Sequence, residues 1–426
     1  MTRRERGTGS IFLNSRGLWT AVFELPSRDG QRQRKVFRSK DRDTALAKVR
    51  NYLRENPIVS PVQRVHRPFR EELAALTVED WLSEWLSDIA SEVVRPKTFS
   101  GYSSVVARQI VPAIGHIPLR NLRARDVRGM ATAIVKSGLS ATTANQAHRV
   151  LSVALTAAQR DELVDVNVAK LVPAPRKSRS PQQALTLPEC HQVLREAEHS
   201  DLASLWYAAL FTGARQGELL GLQRGFVDHG FIEISWQLQR LSWRHGCDTH
   251  CGATRGAECP QRKVPAPADW ESHNLTGGLW LSRPKSRAGW RLVPAVGRFG
   301  ELLDEHIARD CGDNPHDLVW HRSDGSPIDP RVHSDMWHEL LDRAGVRQVR
   351  FHDARHTAVD MLYEADVPED LIREMVGHSS FEMTRVYKSR DSRTRMEAAM
   401  KRSATRLEVP QVRPDLTLVG EAQSAG

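Results

Sequence analysis

Two stretches without hydrophobic periodicity divide this 426-residue chain: residues 57–75, and the Pro-, Ser- and Arg-rich run 173–183, PAPRKSRSPQQ. This punctuation constrains the fold more than any other feature, because the pieces on either side must each bury an apolar face of their own. The length independently predicts two or three domains. The expected layout is a small unit at 1–56, a linker at 57–75, a helical domain at 76–172, a linker at 173–183, a larger domain at 184–406 and a tail at 407–426.

In the first piece, GSIFLN, LWTAVFELP and RQRKVFRS alternate apolar and polar residues. Turns at Ser15-Arg16-Gly17 and Arg28-Asp29-Gly30 separate them, which predicts a three-stranded antiparallel meander. Asp43 to Leu53 reads as a helix with Ala45, Leu46, Val49 and Leu53 on one face. A unit this size buries little and is marginal alone. Arg16, Arg28, Arg32, Arg34, Lys35, Arg38 and Lys40 fall on its strands and turns. A basic sheet face suits a major groove, and a solvated basic surface is the plainer alternative.

The second piece is nearly all helix. Thr77 caps a segment carrying Val78, Trp81, Leu82, Trp85 and Ile89. Lys97–Ile114, Asp126–Val135 and the Ala-rich Ser140–Glu162 follow, the first two stopped by Gly115 and Gly138. Arg95, Lys97, Arg108, Arg120, Arg123, Arg125 and Arg128 equip this piece to clamp DNA, or else decorate a helical oligomerisation or regulatory domain. The chain has 61 Lys and Arg against 52 Asp and Glu, a net charge of +9, which points to a polyanionic partner. No apolar run nears eighteen residues and no signal-peptide core is visible, so the expectation is a cytoplasmic protein with no membrane role.

The third piece carries the chemistry. Thr186 and Glu189 predict a capping box, and Leu202–Phe211 a buried helix. FTGARQGELLGL then places Arg215 at a helix start, where its donors would join free backbone N–H groups in a phosphate cradle. LWLSRPKSRAGWRLVPA reads as two strands around a turn at Ser286–Gly289, a hairpin presenting Lys285, with Arg283, Arg287 or Arg291 as possible sharers of its task. Finally Phe351 to Tyr387 gathers His352, Arg355, His356, His378, Arg385 and Tyr387. His352 and Arg355 share a helix face, Pro368–Val376 reads as a second helix, and Gly377 is its stop. Imidazoles, a guanidinium and a phenol converging on one anion suit phosphoryl transfer without a metal: cations neutralise oxygens and a hydroxyl attacks.

Between the Arg215 motif and the Lys285 motif lies SWRHGCDTHCGATRGAECPQRKVP, with Cys247, Cys251 and Cys259 and either His245 or His250. Three thiolates and an imidazole are a zinc-type set, although the spacing lacks a second clean pair; reduced cysteines in a Gly-rich loop are the alternative. Cys190 and Cys311 read as ordinary packed thiols, and five unevenly spaced cysteines do not make a secreted disulfide framework.

The ordered set HDARH, GH and Tyr, preceded by TGARQGE and the Lys285 motif, resembles the signature of the tyrosine recombinases, the phage integrase family. IGHIPLRNLRARDV resembles the connection in that family's core-binding domain, and residues 1–56 resemble the arm-type DNA-binding domains ahead of some phage integrases. The resemblance implies a mostly α, multidomain chain with small β elements: a three-stranded sheet plus helix, a helical core-binding domain, and a mainly α catalytic domain with a β-hairpin. It implies a site of Arg215, Lys285, His352, Arg355, His378 and the nucleophile Tyr387, with His356 in a packing role. It further implies cleavage and rejoining of DNA through a 3′-phosphotyrosine, integrating or excising a mobile element with no cofactor required. Expected partners are double-stranded attachment sites, three further copies in a tetramer, and accessory DNA-bending or excision proteins, in a bacterial nucleoid. A type IB topoisomerase-like relaxing enzyme and a catalytically silent DNA-binding regulator are the competing readings. In relatives the last segment docks on a neighbouring protomer; here the tail 407–426 could equally be disordered.

Overall fold

The computed structural model describes residues 10–14, 17–28, 31–55, 75–178, 183–247, 251–284, 289–310, 312–377 and 390–407. These divide into two units, one ending at residue 75 and one beginning at residue 76.

In the first unit, strands β1 (Ser10–Leu13), β2 (Trp19–Arg28) and β3 (Gln31–Ser39) form an antiparallel meander in that order, and α1 (Arg42–Glu55) follows. The Asp41 carboxylate starts the helix by accepting from the Thr44 N–H at 2.8 Å and its hydroxyl at 2.9 Å. Ala21 of β2 and Ala45 of α1 are buried, and Phe37 meets Tyr52 with ring centroids 5.4 Å apart. Small side chains at the sheet–helix contact let the two layers approach closely.

The second unit contains two cores. The first lies within residues 78–172. Helix α2 (Val78–Glu84) begins with a reciprocal Thr77–Asp80 capping box, and its Trp81 donates from Nε1 to the Ala154 carbonyl at 3.1 Å. Helix α3 (Pro96–Val105) runs into a π-helical turn, Val106–Ile110, just before Val111–Ile114. Pro112 explains the widened turn: it has no N–H to give the carbonyl of Arg108. Helices α4 (Ala124–Lys136) and α5 (Ala141–Arg160) complete the bundle. The start of the second linker is not free of this bundle. Asn145 donates to the Pro175 carbonyl at 2.6 Å, His148 Nε2 lies 3.0 Å from the Ala169 and Val172 carbonyls, and Ser178 N–H reaches the Thr142 hydroxyl.

The second core gathers residues from Leu185 to Leu407. Helix α6 (Leu187–Ala197) opens with the expected Thr186–Glu189 capping box. Helix α7 (Ala203–Thr212) is buried along its whole length and ends on Gly213 at φ +59°, followed by the short α8 (Gln216–Leu220). Two three-stranded sheets follow. Strands β4 (Val227–Asp228), β5 (Phe231–Ile234) and β9 (Arg291–Pro294) form one. Strands β6 (Gln237–Arg240), β8 (Leu279–Ser282) and β7 (Ser272–Thr276) form the other, in that order. The expected hairpin around Ser286–Gly289 is therefore corrected: β8 and β9 belong to different sheets, and the hairpin in this region is β7–β8. Each flanking strand has a longer-range partner, β6 for β8 and β5 for β9, so adjacency in sequence does not become pairing.

Helices α9 (Gly297–Arg309), α10 (Pro330–Arg343), α11 (Phe351–Glu364), α12 (Glu369–Val376) and α13 (Arg390–Leu407) close the domain. Trp320 and Trp337 are fully buried and satisfied, donating to Ser204 Oγ at 2.9 Å and the Val349 carbonyl at 2.9 Å. Helix α13 packs on this same core through Met396, Ala399, Met400, Ala404 and Leu407. Among the described residues no helix is long and apolar enough to cross a membrane.

Candidate active site

The site forms where the α7–α8 turn, the start of α11, the start of β9 and the end of α12 meet. Gly213 makes the turn possible: a Cβ there would sit 3.3 Å from Ala358 Cβ on α11, and its φ is positive. Helix α8 lies flush on β6, because a Cβ at Gly217 or Gly221 would fall 2.6 Å from the backbone of Leu238. Those two glycines fix where Arg215, the residue capping α8, is aimed.

Arg355 on α11 is only 4% exposed. Its Nη1 donates to the Gly213 carbonyl at 2.7 Å, and its buried Nη2 has no hydrogen-bond partner among the described residues. Arg215 is more open, with 44% of its side chain accessible. Its Nη1 pairs with Glu218 at 2.7 Å and its Nη2 reaches the Gly377 carbonyl at 3.4 Å. The backbone N–H of Arg215 also donates to Glu218, at 2.8 Å. This corrects the idea of a free helix-terminus cradle at α8: Glu218 already occupies the first amide, and the helix is five residues long.

Glu218 and Arg291 are the members that sequence reasoning placed least well. Arg291, offered as a sharer of the Lys285 role, is instead fully buried. It donates to Glu218 at 2.7 Å and to the Met375 carbonyl at 2.7 Å. Burial alone would raise the Glu218 carboxyl, but Arg291 and Arg215 outweigh it and hold the group down at about 2. Burial, with Arg215 and Arg291 as like-charged neighbours, pushes the Arg355 guanidinium down to about 9, still cationic at neutral pH. Three guanidiniums against one carboxylate leave a surplus of positive charge, which a phosphate would neutralise.

His352, one turn before Arg355, is exposed and packs edge-on against His356, with ring centroids 5.3 Å apart. Desolvation, then the neighbouring His356 and Arg355, lowers its pKa below the ordinary value. The neutral ring, able to accept a proton, is therefore the favoured form. The structure thus brings Arg215, Arg355 and His352 to one place. Lys285, His378 and Tyr387 lie outside the described residues, as do Arg16, Arg287, His250 and Cys311. Gly377, immediately before His378, ends α12 at φ +74° beside Arg215. Of the two thiols read as packed, Cys190 is buried.

The candidate metal ligands also come together. His245 Nδ1 and the sulfurs of Cys247, Cys251 and Cys259 lie within 4.8 Å of one another, on the loop between β6 and β7.

Comparison with known proteins finds integrases. Residues 268–393 match the model of the phage integrase family, and residues 77–132 match that of the phage integrase N-terminal SAM-like domain. An integrase of Saccharopolyspora erythraea is 31% identical over 417 residues, covering 91% of this chain and 94% of that protein. Among solved structures, the Tn1549 transposon integrase in complex with a circular intermediate DNA shares the fold at TM-score 0.57 and 20% identity, over 76% of this chain and 99% of that one. A lambda integrase dimer bound to a COC′ core site does so at TM-score 0.52 and 17% identity, over 93% of this chain and 96% of that one.

Proposed function

Because this chain belongs to the phage integrase family of tyrosine recombinases, we propose that Arg215 and Arg355 clamp one scissile DNA phosphate while Tyr387 attacks it. The enzyme is a site-specific recombinase that breaks and rejoins DNA strands. The observation that carries the residue roles is the pair of guanidiniums beside Gly213, one of them buried with Nη2 unpaired among the described residues. A phosphate oxygen is the natural acceptor for such a donor.

In the proposed step, the Tyr387 oxygen forms a bond to phosphorus and the bond from phosphorus to the 5′-oxygen breaks. The phenol, with an ordinary pKa of about 10, is a weak nucleophile, so the surrounding cations must stabilise the charge of the pentacoordinate state. His352 accepts the phenol proton, consistent with its depressed pKa. Lys285 protonates the departing 5′-oxygen, and His378 donates a hydrogen bond to the phosphate. His356 packs on His352 and steadies it. The 3′-phosphotyrosine conserves the bond energy, and a 5′-hydroxyl from the partner duplex reverses the step, so no nucleotide cofactor is needed.

The finer reading is an integrase of a mobile element acting in the bacterial nucleoid. Four copies assemble on two attachment sites, with residues 1–56 as an arm-type DNA-binding domain and accessory bending or excision proteins assisting. The lambda integrase tetramer bound to a Holliday junction supports the assembly by analogy. The test begins by sequencing the junctions of the element that carries the gene, which supplies both sites. A nicked suicide substrate bearing one site should trap covalent DNA on the wild type and none on Tyr387→Phe; trapping on both would remove Tyr387 from its role. Deleting residues 1–56 should weaken integration while sparing core-site cleavage, and unchanged integration would remove the arm.

A further inference from the structure

We propose that the loop between β6 and β7 is a zinc-binding knuckle, with His245 Nδ1 and the thiolates of Cys247, Cys251 and Cys259 as the four ligands. Tetrahedral zinc with bonds of about 2.3 Å to sulfur and about 2.05 Å to nitrogen has ligand–ligand edges of about 3.8 Å (S–S) and about 3.6 Å (S–N). The corresponding separations here are 3.7 Å for Cys259–Cys247, 3.4 Å for Cys251–His245 and 4.0 Å for Cys247–His245. A disulfide would need sulfurs about 2.05 Å apart, so the Cys247–Cys259 pair is not one.

The loop is built around this cluster. Position 246 must be glycine, because a Cβ there would lie 2.1 Å from the Gln261 carbonyl oxygen. Gly252, directly after Cys251, turns the chain at φ +78°. Among the described residues from 242 to 270, Cys259 is the one that is buried. Trp243 and Trp270 pack at its edge against Trp280, but no described residue from 242 to 270 other than Cys259 is buried, and a metal bound by its ligands supplies a centre.

The knuckle also has a place to act. Arg244, next to the first ligand, is bridged to Lys263 by reciprocal backbone hydrogen bonds of 2.8 and 3.0 Å. Its guanidinium lies over the Phe99 ring of α3 at 5.4 Å. The metal therefore braces the contact between the domain that holds the site and the helical bundle.

The decisive experiment needs no DNA, so its outcome is independent of the recombination chemistry proposed above. Full-length protein without a histidine tag, grown with zinc sulfate, is assayed for metal by mass spectrometry. One zinc per chain is expected, with the metal lost in Cys247→Ser and Cys251→Ser and kept in His245→Cys. Exchange with cobalt(II) on the wild type should give the intense visible bands of a tetrahedral thiolate site, which keeps the test sound if a serine variant misfolds. Wild-type protein without zinc and without those bands would overturn the proposal, as would full zinc retention in the Cys247→Ser, Cys251→Ser double variant.

Discussion

Glu218→Gln keeps the shape of the site and removes the charge that holds Arg215 and Arg291 together. In the folded protein the carboxyl sits at about 2 against an ordinary 4.5. At about 1.36 kcal/mol per unit, ionised Glu218 contributes on the order of 3 kcal/mol at neutral pH. Arg215 is 44% exposed and screened, so most of this comes from Arg291, which is wholly buried and would be left with an uncompensated charge. Because the folded value is depressed, the contribution is present in full above about pH 4.5 and is lost as the pH falls through about 2; at pH 3 roughly half or less of it remains. Urea unfolding followed by fluorescence of the buried Trp206, Trp320 and Trp337 should show the midpoint of Glu218→Gln lowered by about 1 M at pH 7, for a slope of about 3 kcal/mol/M. A difference below about 1 kcal/mol at pH 7, or one that does not shrink at pH 3, would refute the claim that this carboxylate locks the two arginines.

Arg355→Lys should cut suicide-substrate cleavage by about 10²–10³-fold, because a single ammonium cannot hold the Gly213 carbonyl and present a planar fork to phosphate. A single-turnover rate near wild type would contradict this. Gly221→Ala forces a Cβ to 2.6 Å from the Leu238 amide and should destabilise by about 1–3 kcal/mol, read as a lower thermal midpoint; an unchanged midpoint would mean that α8 does not rest on β6. With His352 as proton acceptor, the depressed pKa shifts the acid limb of the cleavage rate below the ordinary 6.5. A limb at or above 6.5 would assign the base elsewhere.

Much of this architecture was legible from local signals. Thr77 and Thr186 announce their helices because capping is settled within four residues. Arg215, His352 and Arg355 stood out because their motifs combine special backbone turns with unusual side chains. What stayed hidden depends on partners far along the chain. Arg291 reads as one more basic residue beside Lys285 until β9 pairs with β5 and carries it under Glu218. The supposed hairpin failed for the same reason. Asn145 and His148 look like ordinary polar positions on an Ala-rich helix, yet Asn145 fastens the linker that follows and His148 holds the residues just before it. The Glu218 signal was present, as the acid three residues after Arg215, but a capping residue and a clamp for a buried arginine look alike in sequence.

Helix α13 begins at Arg390, three residues after Tyr387, and seats Met396, Ala399 and Met400 in the same core as Ala354 and Met361 of α11. Even a fully stretched backbone covers about 10–11 Å in three residues, so in the proposed mechanism the nucleophile is tied to whichever core seats that helix. On that proposal, a subunit that lent its tyrosine to a distant neighbour would have to surrender the helix as well.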